Sequence, residues 1–289
     1  MKKNRTFGFA IIAIIYVLAV LLGLFVFRWM ETYVTFYLAI FIADVIATLF
    51  VYLTGVFVKN TSVYDPYWSV QPLVIVLFIL TRFQVWNLGI LMMLIALFYW
   101  GIRLTANWAY TFDSLESQDW RYDMLKEKSG KLYPVVSLLG INLFPTVIVF
   151  LAVLPAIVFF EKGGSNFFTF VGFALCLLAA SLQLFADIQM QRYRKSPHDK
   201  SEIINVGLWK YSRHPNYLGE ILMWWGVFIM MFSVNPNLWI YGIGALLNTA
   251  MFFFISIPMA EKRLANYKAN FDNYKKNTRM LLPLKKTSK

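Results

Sequence analysis

Eight long apolar runs punctuate this sequence, at roughly residues 7–27, 33–58, 69–81, 88–104, 134–160, 167–186, 218–233 and 238–258. A helix needs about 20 apolar residues to cross the hydrocarbon of a bilayer, and backbone in lipid must satisfy its own hydrogen bonds, which leaves helices or closed barrels. Continuous runs without period-2 alternation point to helices. The sequence therefore predicts an all-α, polytopic transmembrane helical bundle of seven to eight spans. The third run is short, and the seventh and eighth meet at a tight turn over residues 233–237, so one of these stays open as a re-entrant segment. The first run follows a basic start, as a signal peptide would, but no small-residue cleavage pattern comes after it. It is expected to be a retained first span.

The distribution of charge supports the count. If all eight runs cross and both termini are cytoplasmic, 24 of the 27 Lys and Arg residues fall on the cytoplasmic side, leaving only Arg28, Arg82 and Lys162 opposite. Cytoplasmic loops carry such an excess. The net charge of +12 is then explained by membrane orientation, without nucleic acid as a partner. The expected setting is an integral membrane protein, with any polar site facing the cytoplasm.

A lone Cys176 and only two histidines, His198 and His214, leave no paired-ligand metal site, and neither a P-loop nor a strand-borne GxGxxG is present. No repeat or linker divides the chain, so residues 1–289 are expected to form a single membrane domain. Trp68, Trp100, Trp108 and Trp209 fall near predicted inner boundaries and Trp29, Trp86 and Trp239 near outer ones, as an aromatic belt of anchors would.

Polar groups at the mouth of a membrane helix are costly, and two clusters stand out. Residues 207–220, GLWKYSRHPNYLGE, run from a basic connection into the seventh span. Near the end of the sixth, Gln183, Asp187 and Arg194 recur at helical spacing and share one face. Asn216 and Glu220, four apart, form a second polar wall. Arg194, Arg213 and His214 suit a phosphate-bearing ligand, while Asp187, Asn216 and Glu220 suit ribose hydroxyls or an amide. The alternative is plain anchoring: basic residues on lipid headgroups, with Asp187 and Arg194 neutralising neighbours.

The same residues carry a resemblance. GLW with YSRHPNYLGE, the Asp187-Ile188-Gln189 element, the tail YKANFDNYKKNTRMLLP from Tyr267, DPYWSVQP from Asp65, WGIRLTANW from Trp100 and DWRY from Asp119 are together similar to the membrane steroid 5-alpha-reductase superfamily, in its bacterial DUF1295 branch. The resemblance implies a membrane reductase that uses NADPH to reduce a carbon-carbon double bond conjugated to a carbonyl in a steroid-like or other lipid substrate. By motif position it implies that Gln183, Asp187, Arg194, Asn216, Glu220 and Tyr267 contact NADPH; Arg213 and His214 join them by their chemistry. Residues 134–289 would serve the cofactor and residues 1–110 the substrate, with the tail as a lid, and the resemblance to a bacterial branch implies a bacterial inner (plasma) membrane as the setting.

The substrate side departs from the steroid enzymes. Trp100 stands where they carry a carbonyl-binding Tyr, and Arg263 where they carry a His. Asp65 or Tyr64, with Tyr99, is then the candidate catalytic acid or carbonyl donor; equally, Asp65 is a helix cap before Pro66. Two rival functions are compatible with parts of the sequence. One is an S-adenosylmethionine-dependent methyltransferase of the isoprenylcysteine carboxyl type, which carries a similar RHPxYxG element. The other is a transporter or lipid-binding protein, for which the lone Asp44 of the second span is weak support; a hydrogen-bonded bundle residue is the preferred reading there.

Overall fold

A computed structural model describes residues 4–284. Among them every regular element is helical, and extended pairing is confined to a single bridge between Ser212 and Arg279. Among the described residues eight helical segments are long and apolar enough to cross a membrane, so the chain is an integral membrane protein. The third is longer than its apolar core suggests, running Thr61–Phe83. The basic residues of the extreme termini, Lys2, Lys3, Lys285, Lys286 and Lys289, lie outside the described residues.

The chain forms two compact units, the first from Met1–Gln84 and Leu104–Leu151. Here α1 (Arg5–Met30) starts at Asn4, whose side-chain oxygen accepts from the Phe7 amide at 3.2 Å. It packs against α2 (Phe36–Val58), burying Ile12, Ile15 and Ala19 with Ala47 and Val51. A 3-10 turn, Thr61–Tyr64, leads into α3 (Tyr67–Phe83), and Tyr64 and Tyr67 join the same core. Asn60 holds this corner by donating to the Leu115 and Ser117 carbonyls at 2.8 and 2.9 Å. Asp44 accepts hydrogen bonds from Gln71 and Tyr67, as the bundle-residue reading expects.

Two sequence-coded distortions follow from proline. α4 spans Leu88–Thr111, α5 Trp120–Ser129 and α6 Tyr133–Val136; a π-helical stretch, Ser137–Leu143, then runs into α7 (Phe144–Lys162). Proline's ring clashes with the carbonyl four residues earlier, and for Pro145 that carbonyl belongs to Ile141, inside the widened turn. The π stretch Phe252–Ser256 stands in the same relation to Pro258.

The second unit comprises Val85–Arg103 and Ala152–Lys289. Its spine is the pair α8 (Phe167–Lys195) and α9 (Pro215–Val234). α8 opens with a reciprocal cap between Asn166 and Thr169. The two helices approach closely because glycine faces the contact: a Cβ on Gly219 would stand 2.6 Å from the Ala179 carbonyl oxygen, and one on Gly226 would stand 2.5 Å from Cys176 Sγ. Cys176 is buried packing at this seam. Beyond α9 come α10 (Ile243–Met251), α11 (Ile257–Tyr267) and α12 (Phe271–Asn277).

Candidate functional site

The close packing of α8 on α9 sets polar side chains against one another in an otherwise apolar unit. Glu220, one turn into α9 and 5% exposed, is held by three donors: Trp100 Nε1 at 2.8 Å, Gln183 Nε2 at 2.9 Å and Trp224 Nε1 at 2.9 Å. Both indoles are fully buried, and their rings meet edge-on at 4.9 Å. Arg103, the last residue that α4 contributes to this unit, donates through Nη1 to Asp187 Oδ2 at 2.8 Å and through Nη2 to Gln183 Oε1. Its Nε is buried without a hydrogen-bond partner among the described residues. One guanidinium thus stands among two carboxylates and an amide, a set able to bind a polar ligand that supplies both donors and acceptors.

Of the expected cofactor contacts, the structure brings Gln183, Asp187 and Glu220 into this network. Arg194 follows on the same helix, exposed, and Asn216 lies half-buried one turn before Glu220. Tyr267 ends α11, about half exposed, with the Arg263 guanidinium 5.7 Å and the Lys268 ammonium 5.1 Å from its ring centre.

Arg213 and His214 have a different commitment. Arg213 Nε donates to Glu261 Oε1 at 2.8 Å, His214 Nε2 lies 3.3 Å from the same oxygen, and Lys275 Nζ reaches Glu261 Oε2 at 3.0 Å. Their backbone amides donate to the Arg279 and Met280 carbonyls at 2.9 and 3.1 Å. The RHP element therefore clasps the C-terminal tail around Glu261. The Tyr274 hydroxyl adds a bond to the Trp209 carbonyl, and burial raises its pKa.

Tyr64 and Asp65 sit in the first unit. The Tyr64 hydroxyl shares a hydrogen bond with Thr146 Oγ1 at 2.8 Å, and Asp65 accepts from the Tyr122 hydroxyl. Asp65 does not cap α3, whose N-cap is Pro66 with no side-chain bond. Tyr99 belongs to the second unit, where its hydroxyl lies 3.1 Å from Ser181 Oγ on α8.

The aromatic-belt expectation needs correction at two positions. Trp29, Trp86 and Trp239 are well exposed, as anchors should be, but Trp100 is fully buried on Glu220 and the buried Trp209 donates to the Ala186 carbonyl at 3.0 Å. Depth along a span says nothing about which helix face a residue occupies. Sequence reasoning also missed Arg103 and Glu261. Arg103 carried a usable signal, a charge inside an apolar run; Glu261 did not, since its partners lie in other segments.

Comparison with known proteins follows the same residues. The family model described as "Protein of unknown function (DUF1295)" matches residues 51–278. An uncharacterized Schizosaccharomyces pombe protein, C594.04c, is similar: it is 24% identical over 235 residues, covering 72% of this chain and 68% of that protein. No solved structure matches.

Proposed function

We propose that this chain, which belongs to the DUF1295 family, is an NADPH-dependent membrane reductase of the steroid 5-alpha-reductase superfamily, acting on a carbon-carbon double bond conjugated to a carbonyl in a lipid-like substrate. The observation that carries the reading is the buried Arg103, Gln183, Asp187 and Glu220 network. Buried charge in a membrane helix marks a functional site by default, and three of these four residues, Gln183, Asp187 and Glu220, are ones that the motif resemblance assigns to a dinucleotide.

The donor set fits that cofactor. Asp187 and the half-buried Asn216 would hold ribose hydroxyls or the carboxamide, and the unpartnered Arg103 Nε offers a further donor. Exposed Arg194, with Arg192 and Lys195 beside it, would meet phosphate. When bound, NADPH would supply a hydride to the carbon beta to the carbonyl. Glu220, whose carboxylate is already filled by three donors, acts as a positioning residue that fixes Gln183 and the two indoles. Tyr99, in the same unit and hydrogen-bonded to α8, is favoured over Asp65 as the group that polarises the substrate carbonyl. Arg213 and His214 contribute by holding the tail. The polar side would face the cytoplasm, where the cofactor is.

Binding to the purified full chain tests this directly. NADPH is expected to bind and S-adenosylmethionine not to; Asp187→Ala and Asn216→Ala should each weaken NADPH by about tenfold or more, the loss of one or two hydrogen bonds. Binding of S-adenosylmethionine in place of NADPH would establish the methyltransferase, and binding of neither would leave the reductase without its cofactor and end the reading.

A further inference from the structure

We propose a second ligand site, in the groove between the start of α9, the π stretch Phe252–Ser256 and the C-terminal tail: it binds an anionic phospholipid, whose phosphate meets Arg279 and Arg213 while an acyl chain lies along the helices. The groove has a volume of about 550 Å³, and none of Arg103, Gln183, Asp187 and Glu220 lines it. It is therefore independent of the cofactor reading.

Unspent positive charge defines the ligand. Arg213 commits Nε to Glu261 and Nη1 to the Lys275 and Thr278 carbonyls, which leaves Nη2 without a hydrogen bond among the described residues. Arg279 lends the clasp its backbone, its carbonyl accepting from the Arg213 amide at 2.9 Å. Its side chain is another matter. The residue is half-buried, its Nε is enclosed without a partner, and no carboxylate among the described residues pairs with its guanidinium. With Nε shielded, the two Nη groups are what a ligand in the groove would meet. Glu261 is not free to neutralise them, because Arg213, His214 and Lys275 already hold it. A partly desolvated cation without a counter-charge is costly. The partner it lacks is an anion.

The walls decide which anion. Apart from the two arginines and Thr278 the lining is apolar, with Leu218 and Ile221 from the first two turns of α9, Phe253 from the π stretch and Leu282 from the tail. α9 and the segment that carries Phe253 both span the membrane, and Phe253 and Leu282 are exposed, so the groove opens toward lipid. A soluble phosphate would leave these walls wet, whereas an acyl chain covers them. A single water needs about 10–15 Å³ of such volume, so the groove takes a headgroup and several methylenes. The tetrahedral oxygens of a phosphate can face guanidiniums from two segments at once, while a planar carboxylate matches one fork; this favours a phospholipid over a fatty acid. With Glu261 engaged, nothing receives the ammonium of choline or ethanolamine, so the group beyond the phosphate is neutral, as in phosphatidylglycerol. Basic pockets between membrane helices recruit anionic lipids in this way. Bound there, the lipid would join α9 to the tail and reinforce the clasp on Glu261.

The test compares four probes on the full chain in detergent by native mass spectrometry: dioleoyl phosphatidylglycerol, dioleoyl phosphatidylcholine, oleate and inorganic phosphate. Phosphatidylglycerol is expected to bind about tenfold tighter than phosphatidylcholine or oleate, one charge-assisted hydrogen bond's worth, and inorganic phosphate to bind more weakly still. Arg279→Gln should erase the preference for phosphatidylglycerol over phosphatidylcholine. Leu282→Glu, which sets a carboxylate at the exposed rim, should do the same. NADPH affinity, read in parallel, should not move with either substitution, which separates failure here from failure of the cofactor reading. Equal binding of the two phospholipids by the unaltered chain would overturn the proposal, as would tighter binding of oleate or of inorganic phosphate. A preference that survives both substitutions would come from the net positive charge of the chain as a whole, and would overturn it too. The unaltered chain and Leu282→Glu supply these comparisons even if Arg279→Gln does not fold.

Discussion

Arg103 Nη1 and Asp187 Oδ2 form a 2.8 Å ion pair in which the side chains are only 4% and 14% exposed. The pair ties α4 to the polar face of α8, and the same guanidinium reaches Gln183, which in turn donates to Glu220. Three residues from two helices thus depend on one cation. Removing one member of a buried pair strands the other, at a cost of about 3–5 kcal/mol. Arg103→Leu is expected to lower stability by that order and to abolish NADPH binding. Arg103→Lys should rescue little, because an ammonium cannot serve Asp187 and Gln183 in the planar fork that Arg provides. Thermal unfolding in detergent, with cofactor titration, distinguishes these from the mild outcome a surface pair would give.

Glu220 supports a second prediction. Its two oxygens accept from Trp100, Gln183 and Trp224. Glu220→Gln keeps the shape but leaves one acceptor oxygen and turns an amide N–H₂ toward an indole N–H, so at least one buried donor loses its partner. The expected loss is about 1–3 kcal/mol, together with a change in the fluorescence of the buried indoles. An unchanged emission spectrum and melting point would show that the three donors do not converge on this carboxylate.

How far the sequence foretold this arrangement depended on the kind of signal. Spans were legible because lipid demands uninterrupted apolar helix, and the Gln183–Asp187 and Asn216–Glu220 faces were legible because a four-residue spacing fixes a side of a helix. The third span was underestimated because its first turns, SVYDPYW, carry polar groups, and those of Ser62, Tyr64 and Asp65 are committed to Asp119, Thr146 and Tyr122. Trp100 and Trp209 were misplaced because a boundary position does not determine orientation. Arg213 and His214 were assigned a ligand on charge alone, whereas their geometry is set by Glu261, 48 and 47 residues further along. Pairings of that range have no local signature.

His214 gives the tail clasp a pH dependence. Burial holds its imidazole below the ordinary value, with the Arg213 charge acting in the same sense and the bond to Glu261 opposing. The unfolded chain therefore takes up the proton first as pH falls. This contribution to stability is complete above about pH 6.5, the unperturbed value, and is lost progressively on acidification toward the depressed folded value. Melting temperature should fall in that window, and His214→Gln should flatten this part of the profile. A melting temperature that rises on acidification through the same range would reverse the assigned direction.

Gly219 tests whether the close approach of α8 and α9 is what assembles the network. A Cβ there would stand 2.6 Å from the Ala179 carbonyl oxygen and 2.4 Å from Gln183 Cγ. The backbone carbonyl cannot yield as a side-chain tip would, so Gly219→Ala must push the helices apart where Gln183 meets Glu220. Overpacking of this kind costs about 1–3 kcal/mol. Because the displacement falls on the network itself, NADPH affinity should drop alongside stability. Gly140→Ala is the matched control: a Cβ there meets nothing within 4 Å, and both readouts should stay near those of the unaltered chain. If Gly219→Ala leaves stability and cofactor binding intact, the helices have room to spare and the Gln183–Glu220 contact does not depend on that glycine.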